Sequence, residues 1–168
     1  MGISIKPATE LRTERLKLNA IHSSDFSFVQ DLISDPKVRE FLGGPVPSDR
    51  VSAQFAAYLA GTANVGIWLA RLQNSDQTLG LLVLSPHQSG EGYELSYQFF
   101  PDFWGNGYAF EACTRVLEHS KTDLQLTRLM AETQTANLAS CKLLERLGMI
   151  EKCRLTRFNA EQAIYLTP

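Results

Sequence analysis

Pro101-Asp102-Phe103-Trp104-Gly105-Asn106-Gly107-Tyr108-Ala109-Phe110-Glu111-Ala112 decides how this chain is read, because it joins an aromatic strand-like run to a helix through two closely spaced glycines. The run before it, Tyr93 to Phe100, ends at a proline that cannot donate to a sheet ladder. Beyond the glycines, Ala109, Ala112, Val116 and Leu117 recur at helical spacing, so the loop falls where a helix begins and its first N–H groups have no internal partner. Free donors at the positive end of a helix dipole bind anions. Gly105 and Gly107 permit the positive φ and close backbone approach of a phosphate cradle, although an ordinary strand-to-helix turn uses glycines in the same way. No Gly-Lys-Ser or Gly-Lys-Thr follows at P-loop spacing and there is no three-glycine dinucleotide fingerprint, so the apparatus of nucleotide hydrolysis is missing.

Working outward, Leu16, Leu18 and Ala20 alternate as in a half-buried strand, and Ser23, Ser24 and Asp25 offer caps for a helix carrying Phe28, Val29, Leu32 and Ile33 that Asp35-Pro36 ends. A short helical segment is expected at Val38 to Leu42, then a third helix, capped by Ser48 or Asp49, with Val51, Phe55, Tyr58 and Leu59. Strands follow at Ile67 to Leu72 and Leu79 to Leu84 around the turn Asn74–Gln77, and another follows His87 to Gly92. After the helix opened by the glycine loop come a strand from Arg128 to Thr133, a helix from Ala136 to Leu147 ending at Gly148, and a closing hairpin around Asn159-Ala160-Glu161. This order predicts an α/β fold, a mixed sheet with helices on both faces and a right-handed βαβ crossover at its centre.

The 168 residues, 44% hydrophobic and 10% aromatic, suit a single domain spanning 1–168. Sixteen basic against eighteen acidic residues, with no basic block, argue against a nucleic-acid or anionic-membrane partner. Cys113, Cys141 and Cys153 are odd in number and widely spaced, which reads as idle thiols in a reducing cytoplasm. Met1–Pro7 lacks the apolar core of a signal peptide, Gly2 is a poor myristoylation candidate, and no apolar run reaches membrane-spanning length, so a cytoplasmic protein is expected. His22, His87 and His119 are scattered and read as surface residues, and no metal site is expected.

The chain resembles the GNAT N-acetyltransferase superfamily, and more narrowly its branch that acetylates ribosomal-protein N-termini at alanine or serine. The resemblance rests on Thr13-Glu14-Arg15-Leu16-Lys17-Leu18, on Glu94 to Tyr97, on the Pro101–Ala112 loop, on Asn137-Leu138-Ala139-Ser140 and on Leu144-Glu145-Arg146-Leu147-Gly148-Met149. It implies a mixed, mostly antiparallel central sheet with one splayed parallel strand pair. It also implies acetyl-CoA as co-substrate, bound by the loop Trp104, Gly105, Asn106, Gly107, Tyr108 and Ala109 with pyrophosphate on the amides from about Gly105 to Ala109, and pantetheine on the main chain from Tyr97 to Phe99 and on Asn137, which equally suits a helix cap. Phe99, Phe100 and Phe103 are candidates for the pantetheine channel or for core packing, and Glu111 reads as a structural first-turn carboxylate.

Acetyl transfer needs an unprotonated amine, whereas α-amino and lysine groups have reference pKa values of about 8 and 10.4, so a base or water relay must act. By similarity of place, Glu94 is the first candidate base and Glu132 the second. The position where many relatives carry a tyrosine acid is Leu144 here, which leaves Ser140 as the nearest hydroxyl for the departing sulfur or for the pantetheine. Cys113 and Cys141 are not read as nucleophiles, since direct transfer in a ternary complex needs none. The expected acceptor is a primary amine, first a peptide or ribosomal-protein N-terminus, bound by roughly Val38 to Tyr58 and Arg154 to Ile164. A small-molecule amine (amino acid, polyamine or antibiotic), a CoA-binding protein with little catalysis, an unrelated nucleotide binder and a homodimer all stay open at this point.

Overall fold

Leu16 and Leu18 sit two residues apart, so a strand turns both to one side, and both are fully buried. They belong to β2 (Leu16–Asn19), entered from a short β1 (Leu11–Arg12) that no sequence pattern announces. A computed structural model describes residues 9–62 and 64–168; the readings of Met1–Pro7 and Gly2 lie outside the described residues. The order continues α1 (Phe26–Ser34), α2 (Ser48–Ala60), β3 (Gly66–Leu72), β4 (Thr78–Pro86), β5 (Tyr93–Phe99), α3 (Tyr108–Thr122), β6 (Leu129–Gln134), α4 (Leu138–Arg146), β7 (Ile150–Arg157) and β8 (Ala160–Leu166).

The strands form an 8-stranded sheet in the order β1-β2-β3-β4-β5-β6-β8-β7. Neighbours are antiparallel throughout except for β5 and β6, which run parallel and pair only at Tyr93↔Leu129 and Glu94↔Met130. Beyond those two rungs β5 stays paired with β4 and β6 with β8, but not with each other. The facing edges of β5 and β6 therefore carry backbone groups free for another partner. The mixed, mostly antiparallel sheet with a splayed parallel pair is thus the observed one.

Helical spacing puts Ala112, Cys113, Val116 and Leu117 of α3 against Leu82, Leu84, Leu95 and Phe99. On the other face Val29, Leu32, Ile33 and Phe55 of α1 and α2 cover Ile67, Leu69 and Leu81. Leu144 of α4 packs on Ala131, Ala163 and Tyr165. Ala131 shares its face with Leu129, which packs with α3, so α4 lies on the α3 side of the sheet.

The helix expected at Val38 to Leu42 is not formed; the chain makes consecutive turns there. Asp35 Oδ1 accepts from the amides of Lys37 and Val38 at 2.8 and 2.9 Å. Gly43 and Gly44 take φ of +81° and +83°, and the Arg39 guanidinium donates to the carbonyls of Leu42 and Gly44 at 2.6 and 3.0 Å. Isolated turn bonds, Arg39 N–H to the Asp35 carbonyl and Leu42 N–H to the Arg39 carbonyl, both at 3.0 Å, do not run on into a helix, and two left-handed glycines stop propagation. The loop is tied to the splayed strands by Gln134 Nε2, which donates to the Phe41 carbonyl at 3.1 Å.

Candidate active site

Pro101 ends β5 and opens a single 3-10 turn, Pro101–Phe103. Trp104 Nε1 then donates to the Phe99 carbonyl at 2.7 Å, and Asn106 Nδ2 donates to the Trp104 carbonyl at 3.0 Å. Gly105 and Gly107 have φ of +74° and +79°, and Gly107 is the N-cap of α3. A Cβ on Gly105 would meet nothing within 4 Å, so glycine is needed there for conformation and not for room. The first amides of α3 lack intrahelical partners, and Tyr108 and Ala109 line the same opening as the glycines.

That opening is a cavity of about 470 Å³ that runs from this loop, through the splay, to the turn segment at Lys37 to Leu42. Gly105, Gly107, Tyr108 and Ala109 line one end, where Lys142 and Arg146 bring positive charge; Arg146 sits 4.1 Å over the Phe110 ring. Trp104, Phe99 and Phe103 also line it, whereas Phe100 packs edge-on against Phe28, 5.5 Å away on the α1 side. Asn106 is not among the lining residues; it shapes the loop by its own bonds.

In the middle of the cavity, Asn137 caps α4, its Oδ1 accepting from the Ser140 amide at 3.1 Å, which leaves its Nδ2 to the opening. The Ser140 hydroxyl is 2.7 Å from the Tyr97 hydroxyl, and both residues line the cavity. Burial pushes the Tyr97 phenol well above its ordinary value, so it stays protonated and able to donate. Leu144 is fully buried, which contributes about 1.5–3 kcal/mol to stability and gives it no part in the chemistry. The sequence reading credited Tyr97 with its main chain only. Alternation with Leu95 and Phe99 was the signal that its side chain turns to the α4 face.

Strand alternation sends Glu94, Ser96 and Gln98 of β5, and Met130, Glu132 and Gln134 of β6, to the opposite face. Ser96, Gln98 and Glu132 line the cavity there; Glu94 does not. Glu132 is 8% exposed at its side chain, and its Oε2 accepts from Arg157 Nη1 at 2.9 Å. Its Oε1 is buried with no hydrogen-bond partner among the described residues. His87 Nε2 lies 3.3 Å from Glu132 Oε2, while its Nδ1 accepts from the Ser89 amide at 3.2 Å, which puts the proton of a neutral ring on Nε2, facing the carboxylate. The expectation that His87 and His119 are surface residues is thus overturned: each is 5% exposed. His87 bonds the buried Glu132 and the exposed Ser89, and His119 Nδ1 bonds the exposed Asp123 at 2.6 Å while its ring sits edge-on to Trp68.

Glu94 is half-buried beside this group, and its carboxyl is pushed above the ordinary range, mainly by burial; the Glu132 charge adds to the shift while His87 and Arg157 oppose it. A carboxyl that binds its proton more tightly folded than unfolded stabilises the fold below its unfolded value, and that contribution is lost as pH rises through the folded value. Glu94→Gln is therefore expected to raise the melting temperature at pH 7.5 and to leave it unchanged at pH 4. Thermal melts at the two pH values check this.

Residues 15–150 match the acetyltransferase (GNAT) domain family, a span that takes in the cradle, the splay and α4. The chain belongs to this family. It is similar to an uncharacterised N-acetyltransferase of Bacillus subtilis, YnaD, with 25% identity over 83% of this chain and 81% of that one. An acetyltransferase from Agrobacterium tumefaciens has a solved structure that superposes with a TM-score of 0.82 at 23% identity, covering 97% of this chain and 96% of the other. The spermidine N-acetyltransferase of Vibrio cholerae, solved with CoA and spermine, superposes at 0.76 with 18% identity over 92% and 94%. At these identities the two structures share the fold alone. GNAT enzymes take their acetyl group from acetyl-CoA, and this chain is an acetyl-CoA-dependent N-acetyltransferase. The residues present fit that co-substrate: two left-handed glycines, unpaired helix-start amides, flanking cations and free strand edges. No helix among the described residues is long and apolar enough to cross a membrane.

Proposed function

We propose that this GNAT enzyme acetylates the α-amino group of a peptide or protein N-terminus, a ribosomal protein being the first class to test, and that Glu132 takes the amine's proton. The observation that carries the reading is Glu132 Oε1, a buried carboxylate oxygen without a hydrogen-bond partner among the described residues, on a cavity-lining residue on the face opposite α3. Arg157 and His87 hold the other oxygen, so the free one is oriented before the acceptor arrives. On that reading the acceptor nitrogen bonds to the acetyl carbon as the carbon–sulfur bond breaks. Glu132 receives the proton from nitrogen, and the Ser140 hydroxyl, backed by Tyr97, donates toward the departing sulfur. Asn137 and the free edge of β5 hold the pantetheine arm, while the amides from Gly105 to Ala109 hold the pyrophosphate; the Trp104 amide is taken by the Pro101 carbonyl.

The preference for an α-amine follows from its proton affinity. Lysine side chains and polyamines hold their protons about 2.4 pKa units more tightly, which a single carboxylate must offset at a cost of about 3 kcal/mol. The Vibrio cholerae neighbour, solved with spermine, favours a second reading in which the acceptor is a polyamine. Thiol release from acetyl-CoA with peptides bearing free or blocked N-termini, with spermidine and with free amino acids separates these. Turnover on the free peptides alone is expected. Turnover on spermidine or amino acids with none on any peptide would overturn the acceptor assignment, and CoA binding with no thiol release from any amine would reduce the protein to a CoA binder.

A further inference from the structure

We infer that Arg15, on the turn between β1 and β2, is the positioning residue that sets the phosphate-binding shape of the loop, acting through Glu111 and Asn106. The proposal rests on acetyl-CoA being the co-substrate and assigns a task that neither the glycines nor the helix start performs. The Arg15 Nε donates to Glu111 Oε2 at 2.7 Å, and Nη2 reaches the same oxygen at 2.7 Å. The Arg15 amide donates to Glu111 Oε1 at 2.8 Å, and the Thr13 hydroxyl donates to that oxygen too. The remaining nitrogen, Nη1, donates to the Asn106 carbonyl at 3.0 Å, and the guanidinium lies 4.5 Å over the Tyr108 ring.

Two consequences follow. The peptide between Asn106 and Gly107 is planar and trans, so holding its carbonyl toward Arg15 turns the Gly107 N–H the opposite way. Both glycines can take other conformations, and of the bonds that shape the turn, Asn106 Nδ2 to the Trp104 carbonyl and Glu111 N–H to the Gly107 carbonyl, neither holds the Asn106 carbonyl, which Arg15 does. Second, Glu111 stands one turn into α3, where a bare carboxylate repels an incoming phosphate. Burial works against its ionisation, but the hydrogen bonds from Thr13 and Arg15 outweigh it and hold the carboxyl below the ordinary range. Arg15 thus pairs with a carboxylate whose ionised form the surrounding hydrogen bonds favour.

The experiment compares Arg15→Met, Arg15→Lys and Glu111→Gln by steady-state kinetics on the full chain, with acetyl-CoA and with acetyl-pantetheine, a donor that lacks the nucleotide phosphates. Arg15→Met is expected to raise KM for acetyl-CoA at least tenfold, with kcat within about twofold and unchanged turnover of acetyl-pantetheine. Arg15→Lys keeps the charge without the fork and falls between; it also serves if Arg15→Met does not fold. Glu111→Gln raises KM in the same direction, and the double variant is no worse than Arg15→Met alone. An unchanged KM in a folded variant, or equal losses with both donors, would overturn the inference. Failure of the wild-type protein to bind CoA at all would instead remove the reading beneath it.

Discussion

Glu132→Gln is expected to lower kcat by about 10²–10⁴, the range usual for a lost general base, with KM for acetyl-CoA within a few-fold of wild type. Glutamine keeps the volume of the side chain, and its carbonyl can still accept from Arg157, so the cavity is preserved while the proton acceptor is gone. Glu94 supplies the control. It is coupled to Glu132 by charge but does not line the cavity, so Glu94→Gln should change kcat by only a few-fold. The reverse ranking, with Glu132→Gln near wild type and Glu94→Gln crippled, would move the base to Glu94 and require a water to carry the proton across.

His87 belongs in the same argument. It joins a buried carboxylate to an exposed serine, Nε2 facing Glu132 and Nδ1 2.7 Å from Ser89 Oγ. In the sequence it is one of three scattered histidines, and its partner is 45 positions away. Burial of a lone polar residue is decided by what the sheet brings beside it, and no local pattern carries that.

Local chemistry explains what was legible. Pro101, Gly105 and Gly107 each restrict or free the backbone at their own position, so the end of β5, the cradle and the start of α3 were readable from spacing. Asn137 was readable as a cap for the same reason. The failed helix at Val38 to Leu42 shows the limit, since its apolar residues and charges look helical, whereas Arg39 and the glycine pair satisfy the backbone another way. The splay was not in the periodicity at all; it came from resemblance, because two strands that run parallel and then part have the same alternation as two that stay paired. Glu111 shows the same gap from the other side. A first-turn carboxylate reads as a helix-dipole partner, and only the fold reveals Arg15 against it, 96 positions earlier in the chain.

Gly107→Trp is expected to weaken CoA binding by about 100-fold or more, read by calorimetric titration on protein whose circular dichroism and melting curve remain those of a folded domain. Two effects contribute and can be separated. Any side chain at φ +79° costs about 1–2 kcal/mol in the left-handed region, and Gly105→Ala, at φ +74°, carries the same penalty. The positions differ in what a Cβ meets: nothing within 4 Å at Gly105, but the Arg15 guanidinium at 3.4 Å from Gly107. An indole launched from Gly107 starts against Arg15 and competes with it for its place beside the Asn106 carbonyl, at the end of the cavity that Gly107, Tyr108 and Ala109 line. Gly105→Ala should therefore lose only a few-fold in affinity while Gly107→Trp loses nearly all. If both variants bind CoA like wild type, the pyrophosphate does not rest on this loop and the cradle is only a turn. If both lose binding equally, conformation alone is at stake, and the part assigned to Arg15 falls with it.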